Sequence, residues 1–346
     1  MAFKILSIDG GGTRGLIPAK ILDCIEQDYG EFTPSWFDVM AGTSTGGIIC
    51  LGLGCGISAG RMVQLYHQEA KKIFKESIFD RLSGLDEHMQ ADYQHKNLKK
   101  ILKSILGEHT LGDLHAQDWL GGMKKEVMVC SFDLNPEDEA DRNKNYRPYI
   151  FHSAFQRDQQ VKLVDLALKT SAAPTLFPIY QRKFIDGGVA MNNPAMAAIA
   201  YAMNDSKEVG AEKGQYLESG FKGLQIKRDD IHVLSLGTGT SNLNRIEASK
   251  IGRGNWGNLQ WIRYLPQLIT EANVQSTIYY ARHVLPDNHL IRIDPAFDDM
   301  DISTSRLAGH PVPMDTTDPE LLDDMIELAE RMYHRHREKI RRFLEL

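Results

Sequence analysis

The sequence predicts a layered α/β fold with a central, mostly parallel sheet, and two observations support this prediction. Short apolar runs that suit buried strands alternate along the chain with longer segments of helical periodicity. Hydrophobic residues make up 42% and charged residues 25% of the chain, which are ordinary values for a globular protein. The 346 residues fit one large domain with insertions, although two domains are also within range.

The first predicted element is an apolar strand at residues 3–8, which leads into a glycine-rich loop. The loop reads Asp9-Gly10-Gly11-Gly12-Thr13-Arg14-Gly15, and a helix follows it and ends near Gly30. Three successive glycines can turn several backbone N–H groups toward one point. Such a nest binds an anion, and a transient oxyanion qualifies.

The same loop has an alternative interpretation as a dinucleotide-binding fingerprint, because Gly10, Gly12 and Gly15 fit G-x-G-x-x-G. A dinucleotide fold needs a second strand that ends in an acidic residue after the first helix. In this chain that region runs instead into Trp36-Phe37-Asp38 and a second glycine motif. The oxyanion interpretation is therefore favoured.

The second glycine motif predicts a nucleophilic serine. A strand at 37–41 leads into Gly42-Thr43-Ser44-Thr45-Gly46, which has the G-x-S-x-G form, and an apolar helix follows. In this context the serine lies on a strained turn, and its glycine neighbours let strand and helix approach closely. Residues 39–60 carry no charge and could span a bilayer, but seven glycines interrupt them, so a buried strand–turn–helix explains them better.

Residues 57–120 are predicted to be mainly helical, with helices at 59–75 and 96–106, and to cover the site as a cap-like insertion. The helix at 96–106 is sharply amphipathic, with lysines on one face and leucine and isoleucine residues on the other. A helix that packs on the core and leaves its lysines in solvent is favoured. A helix that lies at a membrane interface is the alternative.

The third glycine motif follows a series of shorter elements. A strand at 126–132, a charged loop at 135–147, a strand at 149–152, a helix at 164–171 and a strand at 183–185 lead to Asp186-Gly187-Gly188. An aspartate at a strand end before two glycines can aim its carboxylate into a shared cleft. An isolated motif of this kind is more often an Asx turn that stabilises a loop, but the other two motifs favour the functional interpretation.

The rest of the chain predicts two more strands and a helical extension. A helix at 194–203 and a polar connection at 205–230 precede strands at 231–236 and 290–293, and the helical extension covers about residues 255–346. Its final helix, 319–344, begins with acidic residues and ends with basic ones, an order that suits the helix dipole. A packing helix is favoured over a basic lipid-binding tail.

The three motifs and their order resemble those of patatin-like phospholipases, the family of plant patatins, similar bacterial lipases and the animal cytosolic phospholipase A. Two smaller stretches are also similar, Thr170-Ser171-Ala172-Ala173-Pro174 and Leu236-Gly237-Thr238-Gly239. The resemblance covers about residues 3–240, which would form the core of a single domain over 1–346. It implies a three-layer α/β/α fold with a mostly parallel central sheet and helical cap-like insertions.

The resemblance also implies a catalytic Ser–Asp dyad. Ser44 would attack an ester carbonyl, and Asp186 would take its proton and later help to activate water. Backbone N–H groups at four positions would hold the tetrahedral oxyanion, namely Gly10, Gly11, Gly12 and Thr45. The other motif positions would support this geometry: Arg14, Gly15, Gly42, Gly46, Gly187 and Gly188. Arg14 would orient the loop or contact a phosphate.

A general carboxylesterase with a Ser–Asp–His triad is an alternative, since ordinary α/β-hydrolases have the chain order serine, acid, histidine. His232, His283, His289 and His310 all follow Asp186. His232 lies in a segment that predicts a buried strand, and His283 and His289 flank a turn. None of the four has a recognisable catalytic setting.

Charge and cysteine content exclude several classes of protein. A net charge of −6 gives no broad attraction for nucleic acid or an anionic membrane. The four cysteines lie in apolar surroundings without metal-ligand spacing, so we expect reduced, buried thiols, no metal site and no cofactor. No signal peptide is visible, and we expect a cytoplasmic protein that contacts the inner face of the membrane peripherally.

The sequence therefore predicts a lipid acyl hydrolase of the phospholipase A type that acts on membrane phospholipid. An effector of a bacterial antiphage system, activated by a cyclic nucleotide to degrade membrane, is the alternative that family members and the cap-like region imply. A catalytically inactive lipid-binding module is disfavoured by the intact motifs. Whether the chain forms a homo-oligomer is left open.

Overall fold

The computed structural model describes residues 2–74, 93–116, 126–136, 145–204, 223–240, 246–299, 301, 303–309 and 312–346. Several predictions fall wholly or partly outside these residues: 75–92 and 117–120 of the cap, 137–144 of the charged loop, 205–222 of the polar connection, and His310. What was predicted for them stays a prediction.

The strands of the described residues form one sheet, and each lies where an apolar run predicts a strand. They are β1 Phe3–Ile8, β2 Val39–Thr43, β3 Glu126–Asp133, β4 Arg147–His152, β5 Phe184–Asp186, β6 Ile231–Leu236 and β7 Leu290–Ile293. The strand order is β4-β3-β2-β1-β6-β7, with β5 paired to β3. The five strands from β3 to β7 along this order are parallel, whereas β4 and β5 run antiparallel to β3.

Helices connect the strands. In the described residues they are α1 Leu16–Tyr29, α2 Thr45–Gly54, α3 Ala59–Ile73, α4 His95–Leu106, α5 Leu111–Ala116, α6 Leu163–Thr170, α7 Gly188–Met191, α8 Ala195–Met203, α9 Ala248–Ile251, α10 Asn258–Val284, α11 Ser305–Gly309 and α12 Pro319–Leu344. None of these helices is both long enough and apolar enough to cross a bilayer.

The sheet is buried on both faces, which confirms the predicted three-layer α/β/α fold. Leu6 and Ile8 of β1 share a core with α1, α2, α3, α6 and α12. Ile5, which directly precedes Leu6, belongs to a second core with α8 and the end of α10. Alternate side chains of a strand point to opposite faces. Because both faces are covered, the parallel strands are continuous apolar runs, as the sequence has them.

The C-terminal part of the chain joins this same architecture. Strand β7 pairs with β6 in parallel, and α12 packs along α1. The apolar residues of α12, including Met325, Leu328 and Tyr333, are buried, so the packing interpretation of this helix is confirmed. Leu98, Leu102 and Leu106 of α4 are likewise buried, as the packed interpretation of that helix requires. The long helix α10, which carries Pro266 in its interior, was predicted only as part of a helical extension.

Candidate active site

The three glycine motifs meet at the carboxyl edge of the parallel strands. Ile8, the last residue of β1, is in register with Gly42 near the end of β2 and with Leu236 at the end of β6. The loops that follow these strands therefore leave the sheet side by side, where open α/β sheets commonly place their ligands.

Ser44 lies on the sharp turn between β2 and α2. Its backbone has φ 53° and ψ −122°, a conformation in the left-handed half of the map that costs a non-glycine residue of order 1–3 kcal/mol. The Ser44 N–H donates to the Thr170 hydroxyl at 2.8 Å, and the Ser44 carbonyl accepts from the Ile48 N–H at 3.0 Å. Two hydrogen bonds thus hold the strained residue in place, with its side chain at the floor of a cavity.

The glycines on either side of Ser44 are required by close backbone contacts. A Cβ added at Gly42 would lie 2.2 Å from the Gly46 carbonyl oxygen, and one added at Gly46 would lie 2.2 Å from the Ile8 carbonyl oxygen. Neither backbone group can move without shifting β1 or α2. The turn therefore needs glycine at both positions, for the steric reason that the motif predicts.

Sheet pairing brings Asp186 to the end of β2. Thr43, the last residue of β2, pairs with Cys130 of β3, and Asp186, the last residue of β5, pairs with Ser131. Strands β2 and β5 thus occupy the same edge of β3 in succession and run toward each other. Ser44 directly follows β2, and Asp186 is the last residue of β5. The ends of these two strands therefore place the serine and the carboxylate next to each other.

The Asp186 carboxylate lies beside the Ser44 hydroxyl and accepts a hydrogen bond from the Gly188 N–H at 2.7 Å. The bond from Gly188 has the geometry of an Asx turn, so the carboxylate also stabilises its own loop, the alternative role proposed for this motif. Gly187 lies against the Cys130 carbonyl, where a Cβ would come within 2.3 Å. Burial raises the pKa of Asp186 to about 6, and the nearby Ser44 hydroxyl and the hydrogen bond from Gly188 oppose this rise.

The glycine loop faces Ser44 across the carboxyl edge. A Cβ at Gly10 would lie 3.1 Å from the Ser44 Cβ, and Gly12 has φ +61°. The Gly10 N–H donates to the Asn192 carbonyl at 3.1 Å, which argues against the predicted oxyanion role of that group. The N–H groups of Gly11 and Gly12 have no acceptor among the described residues.

Thr45 begins α2, directly after the serine, so its N–H lies in the first turn of that helix, where backbone donors have no intrahelical acceptor. Its hydroxyl donates to the Tyr66 hydroxyl at 2.5 Å, and Tyr66 donates in turn to the Thr45 carbonyl at 3.1 Å. Gly15 packs against the Thr45 side chain, which a Cβ would contact at 2.1 Å. The motif positions 15 and 45 therefore contact each other.

Arg14 is buried at the cavity wall. Its guanidinium makes long hydrogen bonds, both 3.5 Å, to the carbonyls of Gly11 and Gly239, and it lies over the Phe297 ring at 6.0 Å. Burial lowers the pKa of Arg14 to about 10, and the carboxylates of Asp294 and Glu271 offset this lowering only in part. Arg14 thus braces the glycine loop against the segment after β6.

A buried ionic network beside the glycine loop was missed by the sequence analysis. Arg292 of β7 donates to both carboxylate oxygens of Asp9 at 3.0 and 2.7 Å, to Asp294 at 2.7 Å and to the Ser235 hydroxyl at 2.9 Å. Burial by itself lowers the pKa of Arg292, but the Asp9 and Asp294 carboxylates outweigh this effect and raise the pKa above its usual value. An arginine inside the otherwise apolar strand β7, with an aspartate directly after the strand, was the available signal, because a charge in a buried strand requires a partner.

A cavity of about 740 Å³ opens above Ser44 and Asp186. Its walls away from the glycine loop are mainly apolar and come from α3, α4, α10 and the segment after α6. They include Leu65, Phe74, Leu98, Leu102, Phe177 and Leu265. A predominantly apolar cavity with a few convergent polar groups at one end is typical of a site for a small, largely apolar ligand.

No histidine of the described residues lines this cavity. His232 and His289 stack on each other with their ring centroids 3.9 Å apart, and His232 is in register with Lys4 at the start of β1, far from the carboxyl edge. His283 is exposed on α10 and contacts the Tyr279 carbonyl. These three positions do not support the triad alternative.

Several known proteins are similar to this chain. A family model described as Patatin-like phospholipase matches residues 6–199. Patatin-like protein 2 of Arabidopsis thaliana is 31% identical over 301 residues, which cover 75% of this chain and 65% of that protein. The cGAMP-activated phospholipase of Pseudomonas aeruginosa is 29% identical over 302 residues, which cover 86% of this chain and 80% of that protein.

Likeness to solved structures is more remote. The ExoU chain of the ExoU–SpcU complex from the type III secretion system of Pseudomonas aeruginosa matches with 13% identity and a TM-score of 0.41, over 100% of this chain and 52% of that chain. VipD from Legionella pneumophila matches with 12% identity and a TM-score of 0.38, over 95% of this chain and 67% of that chain. The chain thus spans about half of the ExoU chain and about two thirds of the Arabidopsis protein.

Proposed function

The chain belongs to the patatin-like phospholipase family, and on this basis we propose that it is a lipid acyl hydrolase that cleaves fatty acyl esters of membrane phospholipids. The observation that carries the proposal is the position of Ser44 beside the buried Asp186 carboxylate, where both residues line one large, mainly apolar cavity. A nucleophile next to a base, under a space suited to an acyl chain, matches the needs of ester hydrolysis.

In the proposed mechanism the Ser44 hydroxyl attacks the ester carbonyl while its proton passes to Asp186. The tetrahedral oxyanion is held by the N–H groups of Gly11, Gly12 and Thr45. As the intermediate collapses, the ester bond breaks and the proton moves from Asp186 to the departing lysolipid alcohol. A water molecule then attacks the acyl-serine, with Asp186 as base, and the fatty acid and free serine are released.

The buried position of Asp186 supports its role as a base. A carboxylate with its ordinary pKa is a weak base toward a serine hydroxyl, and burial raises the pKa of Asp186 to about 6. The group is still mainly ionised at neutral pH, so it can accept the proton. The strained backbone of Ser44 on its sharp turn, together with the hydrogen bond to Thr170, holds the nucleophile in place next to this base.

Release of free fatty acid from phosphatidylcholine vesicles tests the proposal. The wild-type protein should release fatty acid, and Ser44→Ala should reduce the rate to background. Ser171→Ala is the matched control, because Ser171 is also a buried serine of the cavity wall but donates its hydroxyl to the Ala167 carbonyl. Equal activity in the wild type and Ser44→Ala, or equal loss in both variants, would refute the proposal.

Activation by a cyclic nucleotide is a second candidate, which would make the protein a membrane-degrading effector in antiphage defence. It is favoured by the cGAMP-activated phospholipase of Pseudomonas aeruginosa, which this chain resembles over 80% of that protein's length. The same vesicle assay with a panel of cyclic di- and trinucleotides separates the candidates. Serine-dependent release that one nucleotide increases supports gating, whereas release that none of them changes supports a constitutive enzyme.

A further inference from the structure

The first half of α10 carries an exposed apolar face that no part of the described chain covers. Trp261, Ile262, Leu265, Leu268 and Ile269 are each between 39% and 63% exposed, and their spacing puts them on one stripe of the helix. Large exposed apolar patches are rare on soluble proteins and mark interaction sites.

The second half of the same helix is anchored in the protein. Val274, Ile278 and Ala281 are buried, and the Asn273 side chain accepts from the Asn192 N–H at 2.8 Å. The two halves meet near Pro266, which cannot donate a backbone hydrogen bond within the helix. The exposed half, from residue 258 to 270, therefore projects from a fixed base over about 18 Å.

The exposed face continues into the catalytic cavity. Ile262, Leu265 and Ile269 line that cavity and are also in contact with solvent at its mouth. Just before them, Trp256 stacks on Tyr264 and makes an edge contact with Trp261, in both cases with ring centroids 5.2 Å apart. Amphipathic aromatic rings of this kind are enriched where a protein meets the boundary of a lipid bilayer.

The local charge suits the same partner. Between Glu247 and Glu271 the chain has no acidic residue, whereas Lys250, Arg253 and Arg263 are basic. This contrasts with the net charge of −6 for the whole chain. A neutral-to-basic apolar helix matches a phospholipid surface better than it matches a second copy of this acidic protein.

We propose that the exposed half of α10, with the aromatic cluster Trp256, Trp261 and Tyr264, is the surface by which the protein docks on a phospholipid bilayer, beside the mouth of its cavity. This inference rests on the proposed lipid hydrolysis. A lipid whose acyl chain lies next to Ile262 and Leu265 can enter the cavity along a continuous apolar path. Its ester group then approaches Ser44 without passing through water.

Two matched double variants test the docking surface. Trp261→Asp/Leu268→Asp changes exposed residues of the apolar face that do not line the cavity, and Tyr279→Asp/Tyr280→Asp changes exposed aromatic residues on the anchored half. Both variants add two negative charges to the same helix. Binding is measured by co-sedimentation with vesicles of ether-linked phosphatidylcholine, in the Ser44→Ala background, so that no hydrolysis occurs.

The first variant should lower the vesicle partition coefficient at least tenfold, and the second should change it less than twofold. With Ser44 intact, both should hydrolyse a short, water-soluble ester at the wild-type rate. Wild-type partitioning by the first variant, or equal losses in both, would overturn the inference. The inference would also be overturned if the first variant partitioned like the wild type but had a smaller molar mass by light scattering, because the face would then bind a second copy of the chain.

The two proposals can fail separately. If the wild type hydrolyses neither vesicles nor the soluble ester, the proposed function fails. The partition measurement on Ser44→Ala proteins would still decide the docking surface, because it requires no turnover. Conversely, serine-dependent hydrolysis with no role for Trp261 and Leu268 in partitioning would sustain the enzyme and reject this surface.

Discussion

Replacing Arg292 by methionine should destabilise the protein strongly and slow the proposed reaction. The guanidinium donates four hydrogen bonds, two of them to Asp9, whose carboxylate is almost fully buried. Methionine keeps most of the side-chain volume but leaves that carboxylate without a counter-charge. Breaking a buried ion pair by removing one partner costs about 3–5 kcal/mol, and we expect a loss of this size in the free energy of unfolding.

Urea unfolding at neutral pH measures this loss, and Arg335→Met is the matched control, because Arg335 pairs with carboxylates that are not buried. Arg335 contacts the carboxylates of Asp299 and Asp301, and its own side chain is 41% exposed while theirs are 30% and 89% exposed. An exposed pair contributes at most about 1 kcal/mol, so the control should lose no more than that. Equal losses in the two variants would refute the argument from burial.

Arg292→Met should also slow catalysis, because it alters the position of the glycine loop. Asp9 directly precedes Gly10, so loss of Arg292 frees the start of the glycine loop. We expect kcat for a soluble ester to fall at least tenfold while KM changes less than twofold. Adding Asp9→Asn to Arg292→Met should restore part of the stability, because the more deeply buried of the two carboxylates that lost Arg292 is then removed. A double variant less stable than Arg292→Met would contradict this explanation.

Three further predictions concern the proposed nucleophile and its proposed base. Gly46→Ala should abolish activity and lower the melting temperature, since its Cβ would meet the Ile8 carbonyl at 2.2 Å; wild-type melting would contradict the close contact. The rate should fall as the pH drops below about 6, where Asp186 takes up a proton, and a pH-independent rate would reject that base. Because the pKa of Asp186 is about 6 in the fold against 3.8 in the free group, Asp186→Asn should raise the free energy of unfolding at pH 8 by up to about 3 kcal/mol. The raised pKa stabilises the fold fully below pH 3.8, and this contribution is lost as the pH rises through 6. The increase in the free energy of unfolding of Asp186→Asn should therefore vanish below pH 3.8. Urea unfolding at pH 8 and below pH 3.8 checks the sign.

The strands and the three glycine motifs could be predicted because their signals are local. A short apolar run predicts a buried strand from its own residues alone. Glycines at 42 and 46 are required by contacts within one strand–turn–helix unit or with the adjacent strand. The order of the motifs along the chain also follows from the sequence. The meeting of the first two motifs at one edge follows from the parallel pairing of β1 and β2, which alternating strands and helices predict.

The approach of Asp186 to Ser44 could not be derived in this way. It depends on β5, a strand of three residues that pairs antiparallel with β3 beyond the end of β2. Nothing in three residues specifies a partner strand. The pairing of Arg292 with Asp9 is similarly non-local, since 283 positions separate the two residues.

Helix α10 was not predicted as a single helix, for a different reason. Its apolar residues change phase along the helix, from the exposed stripe that ends at Ile269 to the buried stripe that begins at Val274. A single helical template does not fit both stripes, and Pro266 interrupts the pattern further. The same phase change leaves the first half of the helix outside the core, which is the basis of the proposed docking surface.

The most direct test of the central claim is the turnover of a water-soluble ester by Asp186→Asn. A soluble substrate removes membrane docking from the measurement, and circular dichroism shows whether the variant is folded. General-base catalysis contributes about 10²–10⁴-fold, so the folded variant should lose at least a hundredfold in kcat/KM while Ser44→Ala shows no turnover. Near wild-type turnover by folded Asp186→Asn would contradict the dyad and return the search for a base to the histidines, including His310.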